Sequence, residues 1–268
     1  MKLSFDRKLI SMLFIAVQAV LYLSFLTIDI IGGSVGLSSG IKFTVIILCF
    51  CYVLICKESD SKSFLYISQA ALFFTVISDL FILLLNQYFY GVLTFVIVQQ
   101  LYGLRLDLTA ESSKKNKKEG NINNKKESNI EKRFLRIFTI RFSIQAVVTI
   151  LLCLILRTFG VVLQGLLIIT AFYFISIVTN VIRAVIGAVR GRKAKDISYG
   201  SLLFAIGMVL FLFCDINVGL FNMAYFIILT KTQYHLLYSI SSILMWAFYA
   251  PAQVLIAMSI EGYTRSNS

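Results

Sequence analysis

Residues 199–220 read YGSLLFAIGMVLFLFCDINVGL, an apolar run interrupted by one charged side chain, Asp215. As a helix rising about 1.5 Å per residue, this run is about 33 Å long. The hydrocarbon core of a bilayer is about 30 Å thick. Residues 199–220 therefore predict a membrane-spanning helix that carries a carboxylate within the bilayer.

The rest of the chain repeats this composition. Hydrophobic residues make up 59% of the 268, charged residues make up 14%, and the mean hydropathy is +0.86. A soluble domain carries about 25% charged residues because its surface must stay hydrated. Residues 1–268 are therefore expected to form a single transmembrane domain of the all-α class, a polytopic helical bundle with about eight membrane-spanning helices.

Eight segments are apolar and long enough to cross a bilayer. The second is short, and the further apolar stretch Phe221–Thr230 could lengthen the seventh helix, form a half-helix or lie in the interface. The eight segments are Leu9–Ile31, Ile41–Cys56, Phe64–Leu85, Tyr88–Leu106, Phe134–Leu156, Val161–Val189, Tyr199–Leu220 and Leu236–Ile260.

The formal net charge of +12 comes from basic residues that gather in alternate connections between these segments. One side of the membrane collects nearly all of them, and the other receives only Lys42, Arg157 and Lys231. Connections rich in lysine and arginine stay on the cytoplasmic side of a membrane. This bias therefore predicts eight crossings with both termini in the cytoplasm, and we expect the protein in the plasma membrane. No nucleic-acid-binding motif accompanies the charge, so we expect the bilayer as partner and no nucleic acid.

The connection at about 110–133 is rich in Lys, Asn, Ser and Glu and has no apolar cluster. Such a composition cannot bury enough surface to order itself, which predicts a disordered basic cytoplasmic loop. A patch that binds lipid headgroups is the alternative, but the glutamates interspersed among the lysines dilute its field.

Cysteine and histidine usage argues against a metal centre. All five cysteines lie in apolar runs without a C-x-x-C pair, and the chain has one histidine. We expect the cysteines to be buried, small apolar side chains and the chemistry to need no metal or other cofactor.

Carboxylates inside the apolar segments are the main functional candidates, because an ionisable group in a bilayer costs several kcal/mol unless it faces a partner or a cavity. Asp29 lies near the end of the first segment, where it could reach water. Asp79 and Asp215 lie past the middle of the third and seventh segments, at similar depth. If those two helices are neighbours, both carboxylates can address one cavity.

Further polar residues could line that cavity. Gln99, Gln100 and Tyr102 lie on the fourth helix, and Tyr249 and Gln253 lie one turn apart on the eighth. Lys42 opens the second segment and could pair with a carboxylate. For each of these residues the alternative is an interhelical hydrogen bond that only fixes packing.

Five stretches in these segments resemble, in order, the motifs of the YhhN family of lysoplasmalogenase-like membrane proteins. The order of these short motifs, which extends over most of the chain, makes the resemblance fairly specific. Gln99 stands where the family pattern has His, and Cys214 stands where it has Ser. The stretches are GIKFTVIIL (40–48), SDLFILL (78–84), YGVLTFVIVQQLYGLRL (90–106), GMVLFLFCDINVGL (207–220) and FYAPAQVLIAMS (248–259).

The resemblance implies an eight-helix bundle that hydrolyses the vinyl ether bond of a single-chain ether lysophospholipid and releases a fatty aldehyde. Protonation of the vinyl β-carbon gives an oxocarbenium ion, water adds to it, and the hemiacetal collapses. A carboxyl group removed from water favours its neutral form and can supply that proton, while a second carboxylate stabilises the cation and activates water. These roles fall to Asp79 and Asp215 in an order left open. Substrate binding would fall to Lys42, Gln99, Tyr102, Tyr249 and Gln253.

Two other functions use the same residues. A transporter or proton-coupled carrier would exploit the two carboxylates, although the chain shows neither the repeat nor the Gly/Pro interruptions usual in such proteins. A catalytically silent lipid-binding protein is compatible with Gln99 in place of the family histidine. The sequence leaves the preferred headgroup and the oligomeric state open.

Overall fold

The structure is a computed structural model that describes residues 2–55, 62–116, 127–193, 199–222 and 230–260. The described residues form helices and short connections without β-strands, so the predicted all-α class is confirmed. The helices are α1 Lys2–Ile30, α2 Val35–Ile55, α3 Lys62–Asp79, α4 Tyr88–Asn116, α5 Glu127–Thr158, α6 Gly165–Lys193, α7 Tyr199–Asn222 and α8 Lys231–Met258, with a π-helical segment, Leu80–Leu84, after α3.

Each of these eight helices is long and apolar enough to cross a membrane. Their apolar side chains face outward as well as inward, as expected where the surrounding solvent is lipid. The predicted architecture of about eight transmembrane helices is therefore confirmed. In the stretch 221–230, α7 continues to Asn222 and α8 follows Thr230, while residues 223–229 lie outside the described part of the chain.

Several helices begin earlier than the hydropathy pattern predicts, and for α2 and α8 the structure shows why. Helix α2 starts at Val35 instead of Ile41, so it is not short, because the polar Ser38 in its first turns is buried and its hydroxyl donates to Asp29 of α1. Helix α8 starts at Lys231, where Thr230 and Gln233 form a capping box. In both cases polar residues stabilise the start of the helix, and the same residues lower the local hydropathy, so the hydropathy pattern predicts a later start.

The segment predicted to be a disordered loop is helical at both flanks. Helix α4 runs to Asn116 and α5 begins at Glu127, while residues 117–126 lie outside the described part of the chain. Extending an existing helix needs no new nucleation, and Lys and Glu are good helix formers, so the transmembrane helices continue beyond the apolar segments.

Six helices form a closed ring in the order α2, α3, α4, α6, α7, α8 and back to α2. Each packs against the next, whereas α3 and α7 share no extensive contact and lie on opposite sides of the ring. Helix α1 packs outside the ring against α2 and α8, and α5 packs outside against α6. The main hydrophobic cluster occupies the ring interior, so this interior is where buried polar residues from several helices can meet.

Cysteines take both buried and exposed positions. Cys49, Cys153 and Cys214 are buried, as expected for small apolar side chains, and all are free thiols. Cys51 is exposed on the outward face of α2, so the expectation of burial is wrong at that position. Cys56 lies outside the described residues.

The contact between α7 and α8 gives a test of the ring. A Cβ atom on Gly207 would lie 3.0 Å from the carbonyl oxygen of Ala252 and 3.2 Å from the nitrogen of Ile256, whereas one on Gly219 of the same helix would meet nothing. We expect Gly207→Val to destabilise the protein by about 1–3 kcal/mol, because backbone atoms of α7 and α8 must move apart. The loss is measured as a lower thermal unfolding midpoint in detergent. Gly219→Val is the matched control, and equal midpoints for the two variants would contradict this packing.

Candidate functional site

Asp79 ends α3 at the point where the helix changes its hydrogen-bonding pattern. The following residues form a π-helical turn in which the Leu85 amide donates to the Leu80 carbonyl oxygen at 3.1 Å. The neighbouring Ser78 hydroxyl donates to the Gly91 carbonyl oxygen of α4 at 2.6 Å, which ties this turn to the next helix. π-Helical turns are rare and are often found at functional sites.

A tyrosine from another helix donates to each of the two predicted carboxylates. The Tyr249 hydroxyl of α8 donates to Asp79 Oδ2 at 2.7 Å, and both residues are buried. The Tyr173 hydroxyl of α6 donates to Asp215 Oδ2, also at 2.7 Å. Each carboxylate therefore has a phenol as neighbour, an arrangement that can hold or pass a proton at the carboxyl oxygen.

One phenylalanine connects the two pairs. The ring centroid of Phe95 on α4 lies 5.9 Å from that of Tyr173 and 6.3 Å from that of Tyr249. Phe211, one turn before Asp215, also packs against Tyr249 at 5.4 Å. The two tyrosine–aspartate pairs therefore belong to a single cluster, in which Asp79, Tyr249 and Tyr173 are buried and Asp215 is partly buried.

Helices α3 and α7, whose adjacency the sequence left open, are not neighbours, because α4 and α6 on one side and α2 and α8 on the other separate them. Their carboxylates nevertheless address the same interior from opposite walls. Asp79 lies five residues before the end of its span at Leu84, and Asp215 lies seven before Asn222. At 1.5 Å per residue these are depths of about 8 and 10 Å from the same end of the ring, in line with the predicted similar depth.

Three of the predicted substrate-binding residues lie deep in the ring: Gln99, Tyr102 and Gln253 are at most 1% exposed. Asn180 of α6 donates to the backbone oxygen of Gln99 at 2.7 Å and to its Oε1 at 3.1 Å. The Tyr102 hydroxyl lies close to Thr75, and the Gln99 side chain lies close to the Tyr173 hydroxyl. Neither amide atom of Gln253 has a hydrogen-bond partner among the described residues. Buried polar atoms are almost always paired, so the Gln253 amide is suited to a polar ligand or to water.

Lys42 has a carboxylate partner, and that partner is Asp29. Its Nζ lies 2.8 Å from Asp29 Oδ2, so Asp29, whose side chain is 17% exposed, has a charged partner within the protein. Lys42 Nζ also lies 4.9 Å from the ring centroid of Trp246. Trp246 in turn packs against Tyr249 at 5.2 Å, which connects the ion pair to the Asp79 side of the cluster.

Gln100 does not join Gln99 in the ring interior. Its side chain donates to Gln145 Oε1 of α5 at 2.9 Å and to the Ser176 hydroxyl of α6 at 3.2 Å. Adjacent residues on a helix point about 100° apart, so only one of the two glutamines can face the interior.

Sequence reasoning missed several residues of this region. Tyr173 and Asn180 lie in a strongly apolar segment where single polar residues look like packing groups, although their spacing of seven places them on one helix face. Three charged residues on α4, α5 and α6 that bond to one another, Asp107, Arg141 and Arg183, were also missed. The sequence could have identified them, because charged residues inside membrane-spanning segments are rare.

Groups of three or more His, Cys, Asp or Glu side chains that could hold a metal are absent from the described residues. No family model, curated protein or solved structure matches this chain. The resemblance to the YhhN family therefore stays a prediction from the motifs.

The Tyr249–Asp79 hydrogen bond can be tested with a double-mutant cycle. We expect Tyr249→Phe to lower the free energy of unfolding by about 1–3 kcal/mol, because it leaves a buried carboxyl without its donor. The same substitution in an Asp79→Leu background should cost much less. Tyr66→Phe, at a residue that is 64% exposed, is the matched control. Equal costs of Tyr249→Phe in both backgrounds would show that the bond does not form.

Gln253 gives a test that separates binding from packing. We expect Gln253→Met to leave the unfolding midpoint unchanged or raise it, because it removes two unpaired polar atoms from the interior. Gln18→Met is the matched control, since the buried Gln18 donates to the Val45 carbonyl oxygen at 3.0 Å and its loss should destabilise the protein. A loss of stability in Gln253→Met equal to that in Gln18→Met would assign Gln253 to packing.

Proposed function

We propose that this protein is a YhhN-like integral membrane hydrolase that cleaves the vinyl ether bond of a single-chain ether lysophospholipid and releases a fatty aldehyde. One observation carries the proposal. Asp79 and Asp215, each hydrogen-bonded to a tyrosine, lie on opposite walls of one ring interior, and both stand at motif positions of the family.

The two carboxyl groups divide the reaction between them. One protonates the β-carbon of the vinyl ether, which makes the adjacent carbon an oxocarbenium ion. The other, as a carboxylate, stabilises that cation and accepts a proton from the attacking water. The resulting hemiacetal breaks into the aldehyde and the glycerophospho-alcohol. Tyr249 and Tyr173 orient the two carboxyl groups through the hydrogen bonds they donate.

The buried polar groups of the interior suit the glycerol part of such a substrate. Gln253 offers two unpaired donor hydrogens and an acceptor, and the side chains of Gln99 and Tyr102 on α4 add further polar groups. Lys42 would lie near the headgroup. Because Asp29 already matches the charge of Lys42, this ion pair fits a zwitterionic headgroup better than a purely anionic one.

A membrane position follows from the eight spans, and its finer detail is part of the proposal. The excess of lysine and arginine in alternate connections places both termini in the cytoplasm, and we assign the protein to the plasma membrane. In that orientation, Asp79 and Asp215 lie toward the outer leaflet.

A second candidate function is lipid binding without turnover. It is favoured by Gln99, which stands where the family pattern has a histidine and cannot carry a proton as histidine does. In this case the lysolipid would occupy the same interior and be recovered intact.

Turnover is tested with purified protein and a lysoplasmalogen. We expect release of fatty aldehyde, with kcat lowered about a hundredfold or more by Asp79→Asn and by Asp215→Asn, because each amide removes an acid–base group. Asp196→Asn, at an aspartate between α6 and α7 in the sequence, is the matched control and should keep the rate.

The outcomes of that assay separate the two candidates. Bound and intact lysolipid with no aldehyde from the unsubstituted protein would replace the hydrolase by the lipid-binding function. Aldehyde release at the same rate from both aspartate variants would remove Asp79 and Asp215 from the mechanism.

A further inference from the structure

A groove of about 490 Å³ lies outside the ring, between α5 and α6. Its apolar wall includes Ile140, Ile144 and Val148 of α5, which are 43–59% exposed. These residues belong to the membrane-spanning part of α5, so the groove opens toward lipid. Helix α5 packs mainly against α6, which separates this groove from the interior that holds Asp79 and Asp215.

One end of the groove is charged. Arg141 Nη1 of α5 lies 2.6 Å from Asp107 Oδ2 of α4, and Arg183 Nη2 of α6 bonds to Asp107 Oδ1. Among the described side chains, Asp107 is the only carboxylate bonded to either arginine. Two guanidinium groups therefore share one negative charge, and a net positive charge remains beside the apolar wall.

The two arginines differ in their free hydrogen-bonding capacity. The Arg141 side chain is 9% exposed and largely engaged, because Nη1 contacts Asp107 and Nη2 donates to the Gln100 backbone oxygen at 3.2 Å, while its Nε is buried. The Arg183 side chain is 29% exposed and donates from Nη1 to the Gly103 carbonyl oxygen at 3.4 Å, which is a long bond. Guanidinium groups bind phosphate well because their fork of donors matches its oxygens.

The charged end lies where a lipid headgroup can reach it. Arg141 is six residues into its span from Leu135, and Arg183 is eight residues before the end of its span at Gly191. At 1.5 Å per residue these are depths of about 9 and 12 Å from one end of the bundle. Positive charge just below the interface is costly without an anionic partner.

We propose that this groove binds an anionic phospholipid, with the phosphate against Arg183, beside the positive charge of Arg141, and an acyl chain along Ile140, Ile144 and Val148. The net positive charge favours an anionic headgroup. Both oxygens of Asp107 are already engaged by arginine, so the ammonium group of a zwitterionic lipid finds no carboxylate here. The site is separate from the proposed hydrolase site and does not depend on turnover.

The test measures lipid binding to the full-length protein. Native mass spectrometry counts bound phosphatidylglycerol and bound phosphatidylcholine with identical acyl chains, for the unsubstituted protein, Arg183→Gln and Arg190→Gln. We expect phosphatidylglycerol to bind preferentially to the unsubstituted protein and to Arg190→Gln, an exposed arginine of the same helix. Arg183→Gln should bind it about tenfold more weakly, because one charge-assisted contact is lost.

A second variant keeps the proposal testable if Arg183→Gln folds poorly. Ile144→Trp leaves both arginines in place and fills the apolar wall at a residue that is 59% exposed. We expect it to weaken phosphatidylglycerol binding while the unfolding midpoint without lipid stays the same.

Three results would overturn the proposal. Undiminished preference for phosphatidylglycerol in Arg183→Gln and Ile144→Trp would place the lipid elsewhere. If inorganic phosphate displaces phosphatidylglycerol as well as added phosphatidylglycerol does, the site binds an anion without an acyl chain. If the unsubstituted protein is a dimer that binds no phosphatidylglycerol, and Ile144→Trp is a monomer, the groove is the interface with a second copy of the chain.

Discussion

A carboxylate inside a bilayer needs a partner, and this requirement shapes the protein more than any other constraint. Water is absent from the hydrocarbon core, so an unpaired ionisable group there is costly. Here Asp79 and Asp215 accept hydrogen bonds from Tyr249 and Tyr173, which come from two further helices. Satisfying two carboxylates therefore brings side chains of α3, α6, α7 and α8 into one interior, and Phe95 of α4 fills the space between the tyrosines.

The other buried charged and polar groups follow the same rule with different results. Lys42 and Asp29 form a matched pair that also contacts Trp246, so their charges cancel. Asp107, Arg141 and Arg183 form an unmatched trio, which leaves positive charge beside an apolar groove. Gln253 is the clearest departure from the rule, because neither amide atom has a partner among the described residues. Natural proteins accept such a cost mainly at functional sites, so the proposed function assigns Gln253 to substrate binding.

The spans could be predicted from sequence because a helix in a bilayer must be apolar over about 20 residues. The depth of Asp79 and Asp215 followed from their positions in those spans. Helix neighbours could not be predicted, since every segment is apolar on most faces and an apolar face can pack equally well against any other helix. For that reason, the sequence left open whether α3 and α7 are adjacent, and the structure places them on opposite sides of the ring. Partners drawn from distant segments, such as Tyr173 for Asp215 and Asp29 for Lys42, were hidden for the same reason.

The central claim is that the ring interior between Asp79 and Asp215 binds a single-chain lipid, and the chain carries its own reporter. Trp246 is the one tryptophan of the sequence, and it contacts both Tyr249 and Lys42. The most direct measurement is the fluorescence of Trp246 in nanodiscs titrated with a non-hydrolysable alkyl-ether lysophospholipid. We expect a saturable change in emission that needs a higher lipid concentration in Gln253→Met. If the lysophospholipid changes the Trp246 emission no more than an equal amount of added diacyl phospholipid does, the ring interior is not a site for a single-chain lipid.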